Sequence, residues 1–203
     1  PLPAGTYSVR ANLFPAVVDK TLVARAGKDG TANAWTIDAP AFGRVRVAVA
    51  DRAGRHVPGK VSFIGLAPTV TPYLLPENPI VTGRSWESLK NVVYPPKDGL
   101  EVTLPAGTYL ATSSRGPEFS VETHVIEVLS GEPRDLRFTV DRALETPGLV
   151  SVDSHMHTQF SDGSVLVPQR VRSAAAEGVD VVFSADHNTI IDYGPEIARL
   201  GLA

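Results

Sequence analysis

Cysteine is absent from the sequence, which excludes disulfides and thiolate metal sites and leaves the compartment open. No apolar run approaches the length of a bilayer span, so no membrane crossing by a helix is expected. A basic stripe is missing too. Residues 1–148 hold fifteen acidic and sixteen basic side chains, whereas residues 149–203 hold seven acidic and three basic. That asymmetry argues against nucleic acid and suits a cation near the C-terminal end. With 203 residues, 43% of them apolar, the chain can bury a real core.

Residues 43–147 lack any helix-period stretch of useful length. Val45, Val47 and Val49 alternate with more polar neighbours, and the turn Asp51-Arg52-Ala53-Gly54 precedes a second alternation at Val61 and Phe63. Leu100, Val102 and Leu104 form a further strand, closed by Pro105-Ala106-Gly107 before Tyr109. Val121, Thr123 and Val125 make another, and Leu136, Phe138 and Val140 end the run. Short strands between frequent Gly and Pro predict an antiparallel β-sandwich over 43–147. Six prolines between Pro68 and Pro96 exclude a central strand or long helix there. That stretch reads first as a long sandwich loop, with a ligand-presenting loop as the alternative, and Trp86-Glu87-Ser88-Leu89 as one helical turn. His56 and His124 have no ligand cluster near them in sequence and read as ordinary surface or packing residues.

An internal repeat adds a second unit. Leu2-Pro3-Ala4-Gly5-Thr6-Tyr7 recurs as Leu104-Pro105-Ala106-Gly107-Thr108-Tyr109, and Trp35-Thr36-Ile37-Asp38 aligns with Phe138-Thr139-Val140-Asp141. Two matches at nearly one spacing predict tandem sandwiches, with residues 1–40 as the last strands of the first. The chain is thus expected to begin in mid-domain.

Residues 149–203 read differently. Leu149-Val150-Ser151-Val152 enters Asp153-Ser154-His155-Met156-His157 as a short strand, whose period of two brings His155 and His157 to one side and Met156 to the other. Ser161-Asp162-Gly163 then folds Asp162 back toward the imidazoles, its glycine freeing the backbone. A helix is predicted from Val167-Pro168, burying Val171, Ala174 and Ala175 and stopping at Gly178. Val179–Ala185 reads as a strand buried on both faces, delivering Asp186 and His187. Parallel strands of a β-α-β unit end side by side, so His187 should join His155, His157 and Asp162. Imidazoles and a carboxylate suit zinc, manganese or iron, with Asp153 and Asp186 placed behind them to fix the histidine tautomers.

These residues carry a resemblance. Asp153-Ser154-His155-Met156-His157, Ser161-Asp162-Gly163, Pro168, Ala174-Ala175-Ala176-Glu177-Gly178 and Ala185-Asp186-His187-Asn188 are similar to the opening of a PHP domain (polymerase and histidinol phosphatase superfamily). The resemblance implies a distorted (β/α)7 barrel, a cluster of two or three metal ions, and His155, His157, Asp162 and His187 as ligands. Amidohydrolases also open with His-x-His, but the Ser-Asp-Gly and Asp-His-Asn continuation favours PHP. Residues 43–147 resemble the carboxypeptidase-regulatory or transthyretin-like sandwich, and the combination is similar to the carbaryl-hydrolase-like group of metallohydrolases.

The expected class is therefore mainly β: a sandwich, with the tail of a preceding one, followed by the first β/α units of a PHP barrel. A whole barrel takes ~200 residues or more. The remaining ligands and strands are expected from a missing C-terminal part or another chain, and residues 1–203 by themselves are expected to lack turnover. The last fifty residues would expose the apolar strand Val181-Val182-Phe183, and they should be poorly ordered, paired with a second polypeptide, or docked on the sandwich. The resemblance implies hydrolysis of a small-molecule phosphoester or other ester by metal-activated water. Asp186 is the nearest candidate to orient that water, support behind the ligands being equally open. The competing reading is a β-sandwich binding or scaffold module with an incomplete metal motif. The tandem-sandwich analogy points toward export.

Overall fold

The computed structural model describes residues 3–13, 15–25, 35–74, 88–131 and 133–202. The chain is mainly β, with several antiparallel sheets. An N-terminal antiparallel hairpin pairs β1 (Gly5–Leu13) with β2 (Ala16–Ala24). A three-stranded sheet follows, in the order β10 (Arg134–Thr139), β3 (Phe42–Ala50) and β7 (Leu100–Pro105). A five-stranded sheet runs β5 (Ser88–Leu89), β6 (Val92–Val93), β4 (Lys60–Gly65), β8 (Gly107–Ser114) and β9 (Glu122–Val128).

Period-two alternation turns one face of each sheet inward. Val45, Val47 and Val49 of β3, with Leu104 of β7 and Phe138 of β10, meet Val61 and Phe63 of β4, Tyr109 of β8 and Ile126 of β9 in one buried cluster. Phe63 and Tyr109 are fully buried. Aromatic and branched side chains sealed this way are each worth roughly 1.5–3 kcal/mol of apolar burial.

Four details depart from the sequence pattern. Strand β10 pairs with β3 in parallel, Leu136 opposite Val47 and Phe138 opposite Val49. Its connection from β9 crosses between sheets, so no hairpin dictates its direction. Val121, just before β9, and Val125 within it face solvent while Ile126 and Val128 fill the core; with apolar residues on both parities, alternation marks a strand without choosing its face. Residues 35–40 form no strand, unlike their counterpart in β10. That counterpart is held by the β3 ladder, and no strand among the described residues pairs with 35–38. Ser88 and Leu89 extend as β5 instead of completing a helical turn, and Trp86 and Glu87 lie outside the described residues.

The hexapeptide repeat has one physical device at both copies. Tyr7 Oη donates to Pro3 O at 2.8 Å, and Tyr109 Oη to Pro105 O at 2.7 Å. Each tyrosine reaches back four residues across the turn that opens its strand, β1 or β8, as in a tyrosine corner.

Beyond the sandwich, β11 (Val152–Met156) and β12 (Val181–Ser184) form a two-stranded parallel sheet. Helix α1 (Val167–Ala176) connects them, and a one-turn helix, α2 (Gly194–Arg199), follows. Met156, Val171, Ala174 and Tyr193 make a second, smaller core between sheet and helices. Leu149 and Val150 precede the strand and stay exposed. Helix α1 ends as its glycine requires: Gly178 adopts φ +69°, its N–H bonds Ala175 O, and the Val179 N–H bonds Ala174 O, each at 3.1 Å. This is a Schellman stop.

Strand β12 is not buried on both faces, because helices cover one side only; Val181 is 40% and Phe183 53% exposed. The unit does dock on the sandwich. Lys60 of β4 pairs with Glu177 at the end of α1, and Gly116, at φ +79°, packs so closely against the Glu177 carbonyl that no Cβ fits. Arg115 donates to Pro58 O at 2.5 Å and stacks its guanidinium on Phe119.

Candidate metal centre

The parallel ladder brings the C-terminal ends of β11 and β12 side by side, with the Ala185 N–H bonded to Met156 O at 2.9 Å. His157 lies one residue past β11 and His187 three past β12. Between β11 and α1, the loop turns back at Gln159, whose N–H bonds Val165 O at 3.0 Å, and so carries Asp162 toward both histidines.

Asp162 Oδ1 sits 2.5 Å from His157 Nδ1, and Oδ2 sits 3.5 Å from His187 Nε2. One ligand atom from each of these three residues lies within 4.8 Å of the others. The His157 and His187 rings meet edge to face at 4.8 Å. His155 is outside this closest trio but stacks on His157, rings nearly parallel at 6° and 4.8 Å apart. The ladder is irregular between Asp153 and Met156, which is where His155 falls. The His157 side chain is 19% exposed, whereas Asp162 and His187 are 68% and 63% exposed. One partner is fixed and two can adjust.

The donor set fits a divalent cation. Two imidazoles and a carboxylate suit zinc, manganese or iron, and three protein ligands leave a coordination position open. Ligand atoms around one tetrahedral ion lie about 3.3 Å apart, a spacing that His187 and Asp162 approach at 3.5 Å and that the hydrogen-bonded His157–Asp162 pair, at 2.5 Å, would have to open to reach. The His157 hydrogen bond holds the Asp162 carboxyl below the usual carboxylate range, so the anion a cation needs is favoured.

Asp153 and Asp186 do not take the positions expected of them behind the imidazoles. Asp153 Oδ1 accepts the His155 backbone N–H at 3.1 Å. Asp186 is buried and accepts from Thr158 N at 2.7 Å, Thr158 Oγ1 at 2.8 Å and Ser161 Oγ at 2.6 Å. Burial pushes its carboxyl up, but these three donors outweigh that and hold it below the usual value. With its oxygens so occupied, Asp186 braces the loop that presents Asp162. Ser161 Oγ, 3.3 Å from Asp162 Oδ1, links the two carboxylates.

Arg170 and Thr158 enter the site with no warning from the sequence pattern. Arg170, on α1, donates to His157 O from Nε at 3.1 Å and from a terminal nitrogen at 2.8 Å. Gly163 is needed for space, not for an unusual dihedral: its φ is not positive, and a Cβ would lie 2.7 Å from His157 C and 2.8 Å from Thr158 N. No family model matches the chain, and no curated protein matches it significantly.

Proposed function

We propose that residues 149–203 hold the metal-binding opening of a PHP-type hydrolase acting on phosphate or other esters, carried behind a carboxypeptidase-regulatory-like sandwich. The observation that supports this reading best is the convergence of His157, Asp162 and His187 at the ends of two parallel strands, with His155 stacked beside them. A bound divalent cation supplies Lewis-acid polarisation of an ester oxygen and a lowered pKa for water. The chain's own part is to hold the ligands. His157 stays partly sheltered and fixed by its backbone, Asp162 contributes negative charge, and His187 closes from the second strand. His155, stacked on His157, is the further ligand that the PHP resemblance implies.

Metal content and turnover test this together. Purified protein dialysed against metal-free buffer should retain zinc, manganese or iron, and His157→Ala and His187→Ala should each lose it. In the metal-loaded full-length protein, with the rest of the barrel supplied, hydrolysis of p-nitrophenyl phosphate and p-nitrophenyl acetate should fall in step with metal content, whereas residues 1–203 alone should not turn over. Full-length wild-type protein that retains no metal ends the hydrolase reading. The scaffold reading draws on a different observation: the sandwich core is far more extensive than the small core under the histidines. A scaffold would keep its binding in both histidine variants.

A further inference from the structure

The peptide unit joining His157 to Thr158 is held on three sides by three separate segments. Arg170 of α1 directs two guanidinium N–H groups at its carbonyl oxygen. Asp186, just past β12, accepts its N–H at 2.7 Å. Gly163, from the loop bearing Asp162, lies against its face with no room for a side-chain carbon. We propose that these contacts form a clamp that sets the position of the His157 imidazole, and that Arg170 is thereby a positioning residue for the metal site. The functional half of this inference rests on the metal-binding reading above.

The need for a clamp follows from where His157 sits. Strand β11 ends at Met156, and its ladder is irregular over the preceding residues, so sheet hydrogen bonding does not fix His157. Its ring is nevertheless the least exposed of the closest trio and touches both other members. A ring held at this accuracy needs a fixed backbone. Hydrogen bonds in which one partner is ionised are shorter and stronger than neutral ones, and this peptide has one such partner at each end. Arg170 supplies a fork that lysine cannot reproduce, and it ties the peptide to the helix packed beneath the sheet. The clamp therefore joins both metal-ligand motifs through one plane of backbone atoms.

The test uses Arg170→Met and Arg170→Lys in the full chain, with two measurements. Zinc affinity by isothermal titration should fall about 10- to 100-fold in Arg170→Met, the usual cost of losing a group behind a ligand, and less in Arg170→Lys, which keeps one donor. In metal-free protein, amide exchange at Thr158 should accelerate about tenfold in Arg170→Met, while the amides of Val47 and Phe63 in the sandwich stay protected. A purely structural role would lower thermal stability and leave zinc affinity at the wild-type value; that result overturns the inference, as does unchanged exchange at Thr158. Should Arg170→Met fail to fold beyond the sandwich, Arg170→Lys decides by the same two measurements. If wild-type protein binds no zinc, the metal reading falls, and exchange at Thr158 still decides whether the clamp exists.

Discussion

Replacing Gly163 by alanine separates steric contact from backbone freedom as the reason for a glycine in Ser161-Asp162-Gly163. The added Cβ would stand 2.7 Å from His157 C and 2.8 Å from both His157 O and Thr158 N. All three are backbone atoms, so no side chain can swing aside, and the peptide must move by several tenths of an ångström. Movement in that direction lengthens the Arg170 bonds to His157 O and the Thr158 N–H bond to Asp186 together. Hydrogen bonds to charged groups contribute about 1.5–3 kcal/mol each, so weakening both should cost the local fold roughly 2–4 kcal/mol. Native-state hydrogen exchange followed at Thr158 and Ser161 reads that cost directly, and a zinc titration reads its consequence. Faster exchange confined to residues near 157–163, with weakened zinc binding, is the expected result. Wild-type exchange and affinity in Gly163→Ala would show that the contact is soft and that the clamp does not govern His157.

Other outcomes follow from the sandwich. Tyr109→Phe should cost about 1 kcal/mol by urea denaturation, because Pro105 O loses its donor in the interior, while Tyr7→Phe on the exposed hairpin should cost much less. Phe63→Ala empties the centre of the core and should cost about 3–5 kcal/mol in the same assay. Burial of His56, reinforced by nearby Arg115 and Lys97, lowers its pKa below the ordinary 6.5. Below that value the unfolded chain takes up a proton that the folded chain refuses. Its stabilising contribution is therefore whole above pH 6.5 and is lost as pH falls toward the lowered folded value. The urea midpoint should drop between pH 7 and pH 5, and His56→Gln should flatten that part of the profile. An equal slope in the variant would assign it to other groups.

The sandwich was legible where one parity of each strand is apolar and the other is not. Val45, Val47 and Val49 announce both a strand and its inner face, and Leu136, Phe138 and Val140 do the same. The pattern failed where it is symmetric, as in β9, and where order depends on a distant partner. Trp35-Thr36-Ile37-Asp38 and Phe138-Thr139-Val140-Asp141 are near equivalents in sequence, yet only the second extends, because β3 supplies its ladder. The strand character of Val181–Ser184 was equally plain, but its burial was not. An unbroken apolar run says that both faces could be covered, and covering them takes neighbours that alternation within one segment does not describe.

At the histidines, residue type carried the argument further than position did. The spacing of His155 and His157 implied two equivalent ligands on one strand face, but an irregular ladder and the end of β11 give them different surroundings: His155 stacks at the edge, while His157 makes the contacts with Asp162 and His187. The two acidic neighbours were expected to act on imidazoles because acid beside histidine is the commonest such pairing. In the fold, the nearest unsatisfied donors to Asp186 are instead a backbone N–H and two hydroxyls thrown up by the turn after His157, and a buried carboxylate takes whichever donors relieve it most. Arg170 was invisible for a related reason. A cation on the polar side of an amphipathic helix normally meets water, and only the return of the chain under α1 puts the His157 carbonyl within its reach. The ligands of such a site are thus written in residue identities, whereas the backbone that holds them is written in the packing of α1 against β11 and β12.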